Sequence, residues 1–552
     1  KNKSGGQMSL KFARDNEPGK SVAEERAEEA REEVGEKEAD DLFSSLSGLE
    51  KRRDYSQGQR EYLDQWERGD HNAYAGGLLF APVLARYDFL PMLKRLINVP
   101  TYEGYSLEEL GLTFFYFDLF RYRSLEDFKR VYPEEFGLLI GRTCSPSLFT
   151  LRRFLHKVRK YQHGEKLIEE FSVGYLKSGI AKWGVLYIDG HFLPYHGLCP
   201  ITKGWHAVRQ MPMKGSYHFL GIDENFNPWI FLTRPSSEDL LQKIPEMVEQ
   251  AKRIGEKALS LGPEELRNLV VVFDREGYSG ELFRHLDGRD SGDGVRRAIF
   301  ITWAKYADKW VNDIPEEKFN RTAKVNYEIK KTEEIKYFET ERMMSKYGKI
   351  RAIVIQSGTG KNKKRAPIFT NGREKEIAAE RIIQLICRRW GEENVIKELM
   401  TKHLINYMPG YVKEAMEEQP LVDNPKIKEL KKQRARLLSE LHKLKVKLAD
   451  NVLRRGAAGA DGSPREKGEL QILEGIARMD NEILLLNQEV EKLPKRIRFD
   501  EAHDGTMLMH LNYEKKRILD CIKMFTYNAQ KKMGQLLLNH YGREKEIFPA
   551  LS

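Results

Sequence analysis

Residues 185–190 read Val185-Leu186-Tyr187-Ile188-Asp189-Gly190, and residues 269–277 read Leu269-Val270-Val271-Val272-Phe273-Asp274-Arg275-Glu276-Gly277. Each is a short apolar run, rich in β-branched and aromatic residues, that ends in an aspartate and a glycine-bearing turn. Such a run predicts a strand buried on both faces, where alternation is not needed. Two strands of this kind, lying side by side, deliver two carboxylates to one edge of a sheet. A third acid, Glu393, follows far downstream in a helical stretch, Arg388-Arg389-Trp390-Gly391-Glu392-Glu393-Asn394.

Working outward, strands are expected at 184–189, 217–222, 229–233, 269–274 and 297–302, with a helix at 237–255 between the third and fourth. Three strands, a helix, then a strand ending in an acid is the order of an RNase H-like domain. The expected fold class is therefore α/β, with that core over 176–302. Residues 303–373 carry further β-like stretches (Val325–Ile329, Ile335–Glu339, Ile350–Ile355, Ala366–Thr370) and a basic tip at Lys361, Lys363, Lys364 and Arg365. They read as a β-rich insertion ahead of a helical segment, 374–424, that bears Glu393. Beyond Pro425, Ile427, Leu430, Arg434, Leu437, Leu441, Leu444 and Leu448 alternate three and four apart. After a Gly/Ala/Ser linker at Gly456–Gly468, Ile472, Ile476, Met479, Ile483, Leu486, Val490 and Leu493 do the same. Two heptad helices joined in this way predict an antiparallel coiled-coil hairpin over 425–497, or a surface for dimerisation. A last helix is expected within 498–552. Residues 58–175 read as helical, and 1–57 as a charged lead that buries nothing.

At 552 residues the chain is long enough for several domains. Lys and Arg number 93 against 83 Asp and Glu, a formal charge of +10, and the first fifty residues are acidic. The body is therefore basic, which favours a polyanion such as DNA or RNA as partner. The four cysteines, Cys144, Cys199, Cys387 and Cys521, form no CxxC pair. That argues against a zinc ribbon or a disulfide framework and for a reducing compartment. No run approaches the roughly 18 apolar residues of a membrane span, and no secretory signal is evident. The chain starts at Lys1 rather than at a methionine, so a preceding piece is expected to be missing.

Phosphodiester cleavage with two metal ions needs acids that bind hard cations through oxygen and stand on rigid elements. Asp189, Asp274 and Glu393 supply that set. The competing reading makes each aspartate a loop acid capping the next turn, Asp274 above Gly277 in particular. At uninterrupted helical spacing Ile382, Ile386, Glu393 and Ile396 share one stripe, which projects Glu393 from an apolar face. Glu392 then points about 100° away and reads as a rim residue. Arg389 and Lys397 lie one turn either side of Glu393, as phosphate contacts or as its ion-pair partners. His191 falls on the same strand face as Asp189, and since histidine suits Zn²⁺ better than Mg²⁺ it reads as a support behind the acids or a substrate contact rather than a ligand; His196 follows nearby. Trp205, Tyr217 and Trp303 could stack on displaced bases or pack in the core. Ser147 to Lys160, with Arg152 and Arg153, reads as a DNA recognition helix or as a bundle helix with a basic face.

Tyr187-Ile188-Asp189-Gly190-His191, with Tyr195-His196-Gly197, resembles the first-acid block of DDE transposases related to the insertion-sequence-4 group. Phe273-Asp274-Arg275-Glu276-Gly277-Tyr278 resembles the second block, and Arg389-Trp390-x-x-Glu393-Asn394-x-x-Lys397 is similar to the glutamate block. The likeness runs on through Asp423-Asn424-Pro425, the heptads and Ile518–Tyr527. The resemblance implies an RNase H-like catalytic core holding Mg²⁺ or Mn²⁺ at Asp189, Asp274 and Glu393. It also implies metal-dependent strand cleavage at transposon ends, and strand transfer to target DNA by the freed 3′-hydroxyl. Arg275, Arg389, Lys397 and His191, the basic tip and the basic helix become DNA-binding candidates. The partners implied are transposon-end and target DNA and further copies of the chain, in a bacterial cytoplasm at the nucleoid. Two positions depart from the related pattern: its tyrosine falls at Ile386 and its later lysine at Met400. The rivals are a domesticated, catalytically inactive relative that binds nucleic acid or a protein, and a structural coiled-coil protein.

Overall fold

A computed structural model describes residues 72–97, 104–207, 209–290, 292–328, 331–358, 363–457 and 466–538. The charged lead 1–57, Lys361 and most of the linker between the heptad helices lie outside these residues. The described chain forms two compact units. One comprises residues up to Leu198, Lys203–Val412 and the chain from Asn512; the other is Lys413–Leu511 with Cys199–Thr202. Among the described residues no helix is long and apolar enough to cross a membrane.

The first unit is built on a ten-stranded mixed sheet. Strand β1 (Val185–Pro194) lies between β3 (Met211–Ile222), antiparallel to it, and β5 (Val270–Phe273), parallel to it. The short β2 (Lys203–His206) and β4 (Pro228–Pro235) both pair antiparallel with β3. On the other side β5 pairs parallel with β6 (Ile299–Trp303). Val185–Ile188 and all of β5 are buried, as the uninterrupted apolar runs require. All five expected core strands are present, the first three extended beyond the expected limits. The expected helix is α7 (Leu240–Leu259), started by Asp239, whose side chain accepts from Gln242 N.

The stretch 303–373 does not stand apart from this sheet. β10 (Lys364–Thr370) pairs directly with β6, and β9 (Gly348–Ser357), β8 (Lys331–Met344) and β7 (Arg321–Glu328) extend the same surface as an antiparallel meander. Arg365 secures the join. Its guanidinium donates to the carbonyls of Val311 (3.2 Å), Asn312 (3.3 Å) and Ile314 (2.7 Å), and to Glu316, and lies over the Phe319 ring.

Among the described residues six α-helices precede the sheet: α1 (Ala81–Arg86), α2 (Phe89–Leu96), α3 (Leu107–Leu119), α4 (Pro133–Leu139), α5 (Leu148–Arg159) and α6 (Gly164–Lys177). Helix α3 starts in a capping box in which Ser106 and Glu109 satisfy each other's backbone N–H, and Arg142 fixes Glu109 from outside. The helical region is closed by the last helix of the chain, Glu514–Leu538, whose Phe525 is fully buried among Phe89, Phe115, Phe171 and Tyr175.

The segment carrying the third acid is not one continuous helix. It consists of α11 (Ala379–Cys387) and α12 (Trp390–Thr401); between α7 and α11 come α8 (Pro263–Arg267), α9 (Gly280–Leu286) and α10 (Asp308–Asn312). At the junction Gly391 N bonds to Arg388 O and Glu392 N to Arg389 O, three-residue spacings that tighten the turn. Each residue of such a turn advances about 120° rather than about 100°, which rotates α12 relative to the uninterrupted helix assumed from the sequence. The buried stripe of α12 is Glu392, Val395, Ile396 and Leu399. Glu392, expected at the rim, is the buried acid, and Glu393 stands at the edge.

In the second unit, α13 (Pro425–Ala457) and α14 (Glu466–Lys492) lie antiparallel. Lys426 meets Glu489, Arg434 meets Asn487 and Lys445 meets Asp480, so the register runs in opposite directions along the two helices. Ile427, Leu430, Leu441 and Ile472 are buried between them. Two short ladders close the base: Lys413–Ala415 with Met509–Leu511, and Leu421–Asp423 with Arg496–Arg498.

Candidate functional site

The parallel register of β1 and β5 runs Val185↔Val270 to Ile188↔Phe273. Asp189 and Asp274 are each the next residue after the last pair, so the two acids stand where the parallel ladder stops, Asp274 just past the end of β5 and Asp189 midway along β1, opposite Leu220 of β3. The carboxyl end of a parallel ladder is where open α/β sheets bind ligands. Beyond Asp274 the chain turns sharply through Arg275–Gly277, and Gly277 is required there. A Cβ on it would sit 2.4 Å from the Phe273 ring. The helix pair is tied to β1 by Tyr187, whose hydroxyl donates to Leu385 O at 3.0 Å.

Arg389, at the start of α12, is the hub of the site. Its side chain is only 8% exposed; Nη2 bonds Glu393 Oε1 at 2.9 Å and lies 3.7 Å from Asp274 Oδ1. Its pKa is raised: burial opposes the charge, but Glu392, Asp274, Asp189 and Glu393 together more than offset it. Four carboxylates therefore share one guanidinium. Asp189 accepts a hydrogen bond from Gly190 N at 2.8 Å. Burial pushes its pKa to about 6, against the lowering effects of Gly190 and Arg389, with Glu276 and Asp274 raising it further. Glu392 is fully buried, and its pKa is raised well above the ordinary value, first by burial and then by Asp189. Glu276 is raised by burial and by Asp274.

Arg389 thus lies among the three acids predicted from sequence and Glu392, which sequence reasoning set at the rim, while Glu276, which it gave no role, acts on Asp189. The signal for Glu392 was available in its spacing from Val395, Ile396 and Leu399. Only the assumption of an unbroken helix concealed it. The donor set is all carboxylate oxygen, which suits a hard divalent cation. Among the described residues, however, no three His, Cys, Asp or Glu side chains are grouped closely enough to hold one ion. The cation the acids share here is Arg389.

The other candidates divide. His191 is partly buried beside Asp189; burial, then Lys516 and His206, depress its pKa to about 4, which makes it a neutral imidazole. Arg275 and Lys397 are exposed on the turn and on α12. Arg389 is committed to the acids rather than open to a phosphate. On α5, whose face Leu151, Phe154, Leu155 and Val158 is buried, Arg152 pairs with Glu126 and Arg153 lies over Phe149. Lys363 pairs with Glu316 at 2.7 Å, Lys364 is exposed, and Arg365 is the structural tie described above. Trp205 is 53% exposed, Tyr217 bonds its backbone, and Trp303 is half-buried at the end of β6.

The two acids where the parallel ladder stops, the helix acids and the buried arginine together make a candidate functional centre. Residues 64–549 match the family described as "Transposase protein", and the chain belongs to that family. No curated protein sequence matches it. Among solved structures, one match is a cryo-EM structure of a piggyBac transposase synaptic complex with hairpin DNA. It is 12% identical, with a TM-score of 0.29, over 60% of this chain and 69% of that one. At that score the likeness is too loose to carry any assignment.

Proposed function

We propose that this transposase-family chain is a DDE-type enzyme of the insertion-sequence-4-related kind, cutting DNA at element ends and transferring the freed strand to target DNA. The observation that carries the reading is the placement of Asp189 and Asp274 one residue past the last pair of two adjacent parallel strands, with the acids of α12 beside them. The order β4–β3–β1–β5–β6, antiparallel for the first two junctions and parallel for the last two, supports an RNase H-like core. The paired heptad helices support an antiparallel coiled-coil hairpin.

In this reading Asp189, Asp274 and Glu393 hold Mg²⁺ or Mn²⁺. Such ions would supply activation of a water or 3′-hydroxyl and neutralisation of charge developing on the phosphate. Arg389, which bonds Glu393 and lies 3.7 Å from Asp274, would have to give up these contacts for the two acids to hold a cation. The exposed cations Arg275, Lys397 and Lys364 are phosphate contacts, and a salt-sensitive affinity follows from them. Two copies or more act on paired ends. The domesticated, non-cutting reading draws on one observation: Arg389 already satisfies acids of the site without a metal.

The test is cleavage of labelled element-end DNA in Mg²⁺ or Mn²⁺, with Asp189→Asn, Asp274→Asn and Glu393→Gln beside the wild type. Cutting by the wild type alone, with DNA binding kept in all four, supports the enzyme. Binding without cutting by the wild type in either metal favours the domesticated protein.

A further inference from the structure

Strand β2 and the first residues of β3 form a two-stranded ribbon that the proposed site leaves without a role. The pairs are Lys203↔Lys214, Gly204↔Met213, Trp205↔Pro212 and His206↔Met211. Because side chains alternate, Lys203, Trp205, Pro212 and Lys214 share one face. The opposite face is seated on the sheet. The Phe192 ring of β1 meets His206 and Tyr217 edge-on. The Tyr217 hydroxyl accepts from Trp205 N at 3.1 Å and donates to the Trp205 carbonyl at 3.2 Å. Gly204 makes the close approach possible, since a Cβ there would lie 2.9 Å from the Phe192 ring and 2.8 Å from the Ser236 Cβ.

The outward face is cationic and aromatic together. Lys203, Trp205 and, at the turn, Arg209 are exposed, and Met211 beside the turn is 49% exposed. No aspartate or glutamate occurs between Asp189 and Asp223, and among the described residues Lys203 and Arg209 form no ion pair. Two lysines directly opposed across strands repel; Lys214 turns its ammonium to Leu198 O at 2.9 Å, and Lys203 stays in water. Edge lysines guard a sheet against stray pairing, but that duty has no use for an exposed tryptophan and methionine. Cations around an exposed aromatic suit the phosphates and bases of a nucleic acid, and a two-stranded ribbon fits the major groove of a duplex. The ribbon also lies within reach of the acids. Lys214 stands six residues along β3 from Leu220, the partner of Asp189, a span of about 20 Å. That span corresponds to about six base pairs of duplex.

We propose that the β2–β3 ribbon docks in the major groove of duplex DNA flanking the acid site, with Lys203 and Arg209 on backbone phosphates and Trp205 against the groove. This rests on the DNA-acting reading above and adds a contact surface apart from its acids and its named cations.

The experiment is binding of the full chain, in EDTA, to a fluorescently labelled duplex of arbitrary sequence, measured by anisotropy over a series of NaCl concentrations. Phosphate contacts do not depend on sequence, so this probe reports them. The wild type is compared with Lys203→Gln, Arg209→Gln, Trp205→Ala and, on α2, Lys94→Gln. Each of the first two is expected to weaken binding several-fold and to flatten the slope of log affinity against log salt by about 1. Trp205→Ala should weaken binding at every salt concentration without changing the slope, and Lys94→Gln should match the wild type. DNA should also slow the acetylation of Lys203 in the wild-type chain, a readout that needs no variant to fold. Wild-type affinity and slope in Lys203→Gln and Arg209→Gln, with Lys203 acetylated equally fast with and without DNA, would overturn the inference and leave the DNA-acting reading standing. The same loss of slope in Lys94→Gln would also overturn it, by making the effect one of net charge. A wild type that binds no duplex would instead overturn the DNA-acting reading and this inference with it.

Discussion

Replacing Arg389 with methionine keeps the buried stem and removes the charge that four carboxylates share. The unscreened attraction to Glu393 at 2.9 Å is large, roughly 6 kcal/mol at an effective dielectric of about 20. Glu393 and Asp274 are 39% and 38% exposed, however, so solvent recovers most of it, and each pair contributes about 0.5–1 kcal/mol. Glu392 is fully buried and cannot relax into water, and Asp189 is only partly exposed. Their raised pKa values allow them to take up protons, which caps the loss. The expected destabilisation of the metal-free chain near neutral pH is therefore about 2 kcal/mol. All seven tryptophans lie outside 413–511, so urea unfolding followed by their fluorescence reports on the unit that contains the site. In EDTA the variant should unfold at lower urea. Mg²⁺ should restore more stability to it than to the wild type, because the ion takes over the neutralising role. A variant as stable as wild type in EDTA, with an equal gain from Mg²⁺, would refute the claim that Arg389 is the counter-ion of the acids.

Three further outcomes follow from the same geometry. Burial raises the Asp189 pKa from 3.8 to about 6 in the folded chain. The stability linked to its protonated form is fully present below the unfolded value and is lost as pH rises through about 6. Urea midpoints in EDTA should accordingly fall between pH 4 and 7, and less steeply in Asp189→Asn. Gly391→Ala places a Cβ 2.3 Å from the Phe226 ring, on which Arg388 also stacks. A loss of about 1–3 kcal/mol is expected, read by the same fluorescence; no loss would mean that Phe226 moves freely. Leu441→Ala empties a buried position between α13 and α14. Circular dichroism should report a loss of about 2–4 kcal/mol in the melting of the hairpin while the tryptophan transition stays where it is.

The sheet was legible because buried parallel strands write themselves as apolar runs: Val185–Ile188 and Val270–Phe273 need no tertiary information, and each ends in its acid. The meander of β7 to β10 was legible as strands but not as a continuation of the same sheet. The pairing of Ile368–Thr370 with β6 is a long-range choice that no local pattern encodes. The helix acids were legible as a pair, but which of the two is buried was not: Glu392 is, and Glu393 stands at the edge. A tight turn at Arg388–Glu392 rotates α12, and a rotation of less than one residue's angle is enough to exchange the roles of two adjacent side chains. Basic residues were the least informative. Arg365 and Arg389 look alike as cations in the sequence, yet one ties backbone carbonyls together and the other holds acids.

The central claim, that these acids hold divalent cations, is tested most directly by anomalous diffraction from crystals of the full chain soaked in Mn²⁺. The account predicts Mn²⁺ peaks in contact with Asp189 and Asp274 and with a carboxylate of α12, with Arg389 drawn away from Glu393. Crystals in which the Arg389–Glu393 bond persists and Mn²⁺ is found only elsewhere on the molecule would contradict it.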